Sequence, residues 1–266
     1  MSQESSIRIN KYLSEVGFCS RRAADGLLEQ KRITINGKIP ELGTQVFPTD
    51  EVRVDGQLIG KPKQQHVYIA FNKPVGIVST TDTLGEKDNI IDFIGHSERI
   101  FPIGRLDKDS EGLILLTSEG DLVNKILRSK NNHEKEYVVT VDKPLHPSFV
   151  QRMSTGVPIL DTVTAPCTVE AINKFKFRII LKQGLNRQIR RMCSYLGYQV
   201  TQLKRIRIMH IQLDLAVGKW RDLSEKELAE LNLLIQDSSK PVYPFLLGVP
   251  QLIVNFSTKL ATLTSN

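Results

Sequence analysis

Apolar and polar positions along the chain follow two regimes. Near the N-terminus Ile9, Tyr12, Leu13 and Val16 recur at i, i+3, i+4 and i+7, which places four side chains on one helical face. Gly17 fits the stop of that helix. Ser20 predicts the N-cap of a second helix carrying Arg21, Arg22, Leu27 and Leu28. The period then shortens. Ile33-Thr34-Ile35 meets Asn36-Gly37, and Val52-Arg53-Val54 meets Asp55-Gly56, both hairpin signals. Residues 1–60 therefore read as a small unit of two helices followed by short strands.

Residues 61–66 lie in a polar stretch without apolar periodicity and read as a linker. From 67 to 237 the pattern is mixed. Strands are predicted at Val67–Phe71, Gly112–Thr117, Tyr137–Val141 and Phe175–Leu181, and helices at Asp121–Arg128, Pro147–Ser154, Asn186–Leu196 and Glu225–Ile235. Ser224 and Glu227 are spaced as a capping box, and the two middle helices end against Gly156 and Gly197. Strands separated irregularly by short helices predict an α+β fold with a mainly antiparallel sheet rather than a regular βαβ series.

The tail, 238–266, is apolar from Ser239 onward, and Pro241 to Thr258 carries no charge. Pro241, Pro244 and Pro250 argue against a membrane-spanning helix there. No apolar run follows the polar residues at the start, so no signal peptide is expected and the protein is read as cytoplasmic. Cys19, Cys167 and Cys193 lie far apart and form no C-x-x-C pair; free thiols in a reducing compartment are expected.

Charge changes the picture more than composition does. The net charge is only +7, yet no acidic residue occurs between Glu170 and Asp214, a span holding ten Lys and Arg. A one-sign block of this length points to a polyanion surface, with nucleic acid first. Arg21 and Arg22 stand at a predicted helix N-terminus, where free N–H groups and the helix dipole already favour phosphate.

Walker, G-x-G-x-x-G, G-x-S-x-G and H-E-x-x-H motifs are absent, and the five histidines lack metal-ligand spacing. Neither cofactor nor metal is expected. Three stretches could carry chemistry. Phe101 to Leu113 places Asp107, Asp109 and Glu111 on a loop before an apolar strand, either as a plain charged loop or as a presented carboxylate. Glu134-Lys135-Glu136-Tyr137 enters a strand, where a tyrosine by itself reads as a sheet aromatic. Gly184 to Cys193 puts Arg187, Arg190 and Arg191 at the start of a predicted helix.

Together these stretches resemble the pseudouridine synthase family, in its RsuA-like branch. Asn72-Lys73-Pro74-Val75-Gly76 and Gly104-Arg105-Leu106-Asp107 match that branch. Arg8 to Leu13, Cys19 to Ala24 and Ile35-Asn36-Gly37 resemble an S4 RNA-binding module placed ahead of the catalytic domain. Leu185 departs from the arginine that commonly follows the glycine in this branch.

The resemblance implies that Asp107 is the nucleophilic carboxylate, that Tyr137 stacks on a flipped uracil, and that Arg190 ion-pairs with Asp107. It places Arg105 near the void left by the base. Arg187, Arg191, Arg21, Arg22 and Lys11 are expected on RNA. The implied substrate is a uridine in 23S rRNA, with the anticodon of a tyrosine tRNA as a second target, acted on by a monomer without cofactor. Uridine isomerisation moves one glycosidic bond from N1 to C5 with no oxidation and no group donated. Attack at C1′, attack at C6 and removal of the 2′ proton all stay open at this point.

Two rivals are less well supported. A silent RNA-binding assembly factor is disfavoured by the retained Asp107, Tyr137 and Arg190. A helix-turn-helix DNA regulator is disfavoured because the basic block lies far from the first two helices.

Overall fold

The computed structural model describes residues 6–60, 65–127 and 133–237. The tail predicted at 238–266 and residues 61–64 of the predicted linker lie outside the described residues. Among the described residues no helix is long and apolar enough to cross a membrane.

The N-terminal unit runs β1 (Ile7–Arg8), α1 (Ile9–Glu15), α2 (Arg21–Glu29), β2 (Ile33–Ile35), β3 (Gln45–Val46), β4 (Val52–Val54) and β5 (Gln57–Leu58). The apolar stripe behaves as its spacing demands: Ile9, Tyr12 and Leu13 are buried with Ala24 and Leu28 in a core of their own, closed by Ile33, Val46, Val52 and Val54. Ser20 caps α2 by accepting the Ala23 N–H at 3.1 Å. Asp55 and Gly56 take positive φ and join β4 to β5 as a tight hairpin. Asn36-Gly37 also turns the chain, but only onto Lys38; β2 finds its main partner in β4, sixteen residues further on.

The remainder runs β6 (Tyr68–Lys73), α3 (Ile90–Ile94), β7 (Phe101–Ile103), β8 (Glu111–Thr117), α4 (Gly120–Leu127), β9 (Lys135–Val141), α5 (Phe149–Ser154), β10 (Pro158–Ile159), β11 (Thr162–Val163), β12 (Thr168–Asn173), β13 (Lys176–Leu181), α6 (Gln188–Tyr195), β14 (Val200–Ile208), β15 (Ile211–Gln212), β16 (Trp220–Asp222) and α7 (Glu225–Asp237). Nine strands form one sheet in the order β12-β13-β9-β14-β8-β6-β16, with β15 on β14 and β7 on β8. Its pairs are antiparallel except β14 with β8, so the α+β class with a mainly antiparallel sheet holds.

Strand β8 shows why the sheet is covered on both faces. Its side chains alternate with period two. Leu113 and Leu115 pack on one face with Leu122 and Ile126 of α4 and Leu231 and Ile235 of α7. Ile114 and Leu116 pack on the other with Ile90 and Ile94 of α3. At the far end Val139 and Val141 of β9 lie under α5 and α6 with Phe149, Met153, Ile189 and Met192. The predicted capping box of α7 is formed, with Glu227 Oε2 accepting the Ser224 N–H at 2.8 Å and Ser224 Oγ accepting the Glu227 N–H at 3.2 Å.

The longest strand, β14, is not among those the sequence pattern predicts. Its alternation is masked by Lys204, Arg205 and Arg207, and a strand so rich in cations reads as surface. The acid-free block is nonetheless largely neutralised across the fold. Arg178 pairs with Glu136 and Glu170, Arg207 with Glu134 and Glu136, and Lys204 with Glu111. Much of that block is therefore tertiary ion pairing rather than an open polyanion surface.

Candidate active site

A cleft of about 720 Å³ is lined by the loop that carries Asp107, by β9 and β14, and by the start of α6. Arg105, Asp107, Tyr137, Arg187 and Arg190 all line it, as do Ser110, His133, Lys135 and Arg205. Arg191, Arg21, Arg22 and Lys11 do not.

Asp107 is presented by a loop pinned on both sides. Leu106 is buried, its N–H donates to Ser79 Oγ at 3.2 Å, and the Ser79 hydroxyl donates to Leu106 O at 2.9 Å. Gly76 N–H donates to Lys108 O at 2.8 Å. Buried Ser110 donates its N–H to Asp107 O at 3.0 Å. The carboxylate thus stands half-exposed between two buried anchors. Gly112 follows at φ +111°, and a Cβ there would lie 2.2 Å from Arg205 O, so only glycine lets β14 approach β8 at this point.

The ion pairs differ from the expected set. Arg187 Nη1 lies 3.5 Å from Asp107 Oδ2 and also holds Asp109 through two hydrogen bonds of 3.1 and 2.8 Å. Arg190, expected on Asp107, instead donates to Asp109 O at 2.7 Å and Ser110 Oγ at 3.2 Å, with its Nε 3.4 Å from Asp109 Oδ2. The reason is position on α6. Arg187 is the N-cap, in the left-handed conformation at φ 48°, and Arg190 is a helical turn further along. The Arg187 hydrogen bond holds the Asp109 carboxyl below its ordinary range against the cost of burial, with Arg190 adding a smaller pull. Arg191 turns back onto Asn186 O and Oδ1, both at 3.1 Å.

Strand β9 supplies the facing wall. Period two turns Lys135 and Tyr137 toward the cleft and Glu136 away from it, onto Arg207 and Arg178. His133, just before the strand, is buried, and its Nε2 has no hydrogen-bond partner. Burial, reinforced by Lys135, lowers its pKa. The Lys135 ammonium is likewise held down, by burial first and then by Arg205.

Lys73 is fully buried behind the Asp107 loop and donates to Pro74 O at 2.9 Å and Ile77 O at 2.7 Å. Burial pushes its pKa down to about 8, against the pull of Asp109 and Asp107. The sequence offered Lys73 as part of a motif without a task, and it offered no role for Asp109, His133, Lys135 or Arg205.

In the N-terminal unit Lys11 and Arg21 both reach Asp121 on α4, at 2.5 and 3.4 Å. Arg22 is exposed. The Ser14 hydroxyl accepts from Arg99 Nη1 at 3.2 Å, a second tie between the two parts of the chain.

Residues 67–195 match the RNA pseudouridylate synthase family and residues 7–52 the S4 domain. The chain is 58% identical over 247 residues to the dual-specificity RNA pseudouridine synthase RluF of Escherichia coli (strain K12), covering 92% of this chain and 84% of that one. It is 31% identical to the ribosomal large subunit pseudouridine synthase B of Bacillus subtilis (strain 168), covering 85% and 96%. The chain belongs to the RNA pseudouridine synthase family, in its RsuA-like branch. A solved pseudouridylate synthase shares the fold at a TM-score of 0.62 and 28% identity, covering 85% of this chain and all of that one. The enzyme is thus an isomerase with an S4 module ahead of its catalytic fold, and most residues lining the cleft lie inside the segment that matches the synthase family, with Leu203, Arg205 and Ile208 just beyond it.

Proposed function

We propose that this synthase isomerises a uridine of 23S rRNA, and a uridine in the anticodon of tyrosine tRNA as a second substrate, with Asp107 as the nucleophilic carboxylate and without a cofactor. The observation that carries the reading is the pairing of Asp107 with a cation and an aromatic in one cleft. Asp107 stands 3.5 Å from the Arg187 guanidinium, and Tyr137 lines the same cavity. A base taken out of its stack needs an apolar wall, which the Tyr137 ring supplies. During the reaction the N1–C1′ bond breaks, the base turns, C5 joins C1′, a proton leaves C5 and N1 gains one. Tyr137 is suited to relay the C5 proton through its hydroxyl. Names that specify the ribosomal large subunit or dual specificity belong to the relatives, and they support a large-subunit target and a second RNA substrate here.

The role of ion-pair partner passes from Arg190 to Arg187 in this reading. Arg190 holds the backbone of the Asp107–Ser110 loop, and Arg105, exposed at the mouth of the cleft, meets the RNA strand.

The test is Asp107→Asn, a nearly isosteric change that removes charge and nucleophilicity. Tritium release from RNA carrying 5-tritiated uridine should fall to background while RNA affinity stays within a few-fold. Sustained turnover by the asparagine variant, with deamidation excluded by mass spectrometry, ends the assignment.

A further inference from the structure

Arg205 is 3% exposed, lines the catalytic cleft, and has one guanidinium nitrogen, Nη2, with no hydrogen-bond partner. Among the described residues no carboxylate lies within ion-pair distance of it. A buried cation left without an anion and with a free donor is costly, since both the charge and the unmade hydrogen bond are penalised. Its placement is built rather than incidental. Arg205 Nε donates to Leu113 O at 2.6 Å, and Gly112 leaves room for the Arg205 backbone that no Cβ would allow. A β-bulge between Arg205 and Arg207 breaks the strand period. Without it both arginines would face the same side. With it Arg207 goes to Glu134 and Glu136, while Arg205 stays on the cleft side opposite Tyr137. The guanidinium carbon lies 6.0 Å from the centre of the Tyr137 ring.

We propose that Arg205 is a catalytic residue: its unpaired charge, at the wall of the cleft, stabilises the negative charge that builds on the uracil as the N1–C1′ bond breaks. The electron pair of that bond moves onto N1 and the ring carbonyl oxygens, and it returns when C5 bonds to C1′. The charge exists only between those events, so the interaction is stronger in the transition state than in the bound substrate, which is the condition for raising rate rather than affinity. The assignment rests on the proposed reading of Tyr137 as the stacking wall and Asp107 as the nucleophile.

A leaving-group test separates this role from a structural one. Fluorine at C5 withdraws electrons and makes the departing base easier to expel, so it relieves a site that has lost its charge stabiliser. Single-turnover rates are measured on transcribed 23S rRNA made with uridine or with 5-fluorouridine, following formation of the carbon-linked nucleoside by mass spectrometry after digestion. Arg205→Gln should slow the uridine reaction roughly 10²–10³-fold, as loss of one preorganised donor does, and slow the fluorinated reaction at least about tenfold less. RNA affinity should stay within a few-fold. Arg205→Lys, which keeps the charge but cannot place Nη2, should show the same bias in smaller degree, and it carries the test if the glutamine variant fails to fold. Equal slowing of both substrates by the folded variants, or no slowing, overturns the proposal. Asp107→Asn is run beside them: its activity on either RNA would overturn the underlying reading, whereas its silence with an unbiased Arg205 variant would overturn this inference alone.

Discussion

Arg187 reaches the Asp107 carboxylate at 3.5 Å while Arg190, one helical turn away, is held by Asp109 and Ser110. Asp109 is therefore the hub of the arrangement, gripping Arg187 through its carboxylate and Arg190 through its carbonyl. Two neighbouring carboxylates compete for one guanidinium.

That hub predicts a graded loss of rate. Asp109→Asn removes the carboxylate that anchors both arginines and leaves Arg187 within reach of Asp107. Single-turnover kcat should fall by about tenfold or less, with RNA affinity within a few-fold, as the arginines lose their anchor. A loss as complete as that of Asp107→Asn contradicts the shared-guanidinium account.

RNA affinity should respond unequally to the three cations of the first two helices. Lys11 and Arg21 are already paired with Asp121, whereas Arg22 faces solvent. Arg22→Ala should shallow the slope of log affinity against log salt by about 0.7–0.9, the value of one phosphate contact. Arg21→Ala should change it less. Asp121→Asn, which releases both partners, should steepen it. Filter binding across a salt series decides, and identical slopes for all three variants would refute a phosphate role for this surface.

Tyr137→Phe should bind RNA like the parent and lose most of the turnover, while Tyr137→Leu loses both. The phenyl ring keeps the stacking surface, worth roughly 1–3 kcal/mol per base, but lacks the hydroxyl that can relay the C5 proton. RNA carrying 5-fluorouridine, from which no C5 proton need leave, should still be carried to the rearranged base by the phenylalanine variant. Parental turnover of ordinary RNA by Tyr137→Phe leaves the hydroxyl without a task.

Stability should depend on the cap of α7 in a pH-specific way. Arg221 holds the Glu227 carboxyl well below its ordinary range, at about 2, with Ser224 contributing less. The folded pKa lies below the unfolded value, so the contribution is present above about pH 4.5 and is lost as pH falls toward 2. Glu227→Gln should cost about 1–3 kcal/mol at pH 7. The gap from the parent should narrow in urea melts at pH 3.5. A gap of constant size would mean that packing, not charge, sets the cost.

The sequence by itself determined what depends on neighbours along the chain. The stripe Ile9, Tyr12, Leu13 made α1, Ser20 and Ser224 with Glu227 placed two helix starts, Gly17 and Gly197 two stops, and the apolar run from Leu113 to Leu116 a strand buried on both faces. The loop carrying Asp107 and the strand carrying Tyr137 were legible for the same reason. Only the tertiary structure decided how charges are shared. Ion pairing falls off with distance in space, and nothing in the order of residues says that Glu134 and Glu136 will neutralise Arg207, or that Asp121 will take Lys11 and Arg21. Strand β14 was hidden because its cations lower its apparent hydrophobicity, although the sheet around it meets their charge or buries it. The bulge beside Arg205 could not be read either, because a one-residue slip is fixed by pairing across two strands. That slip sends Arg207 to the carboxylates and leaves Arg205, unpaired and buried, facing the cleft.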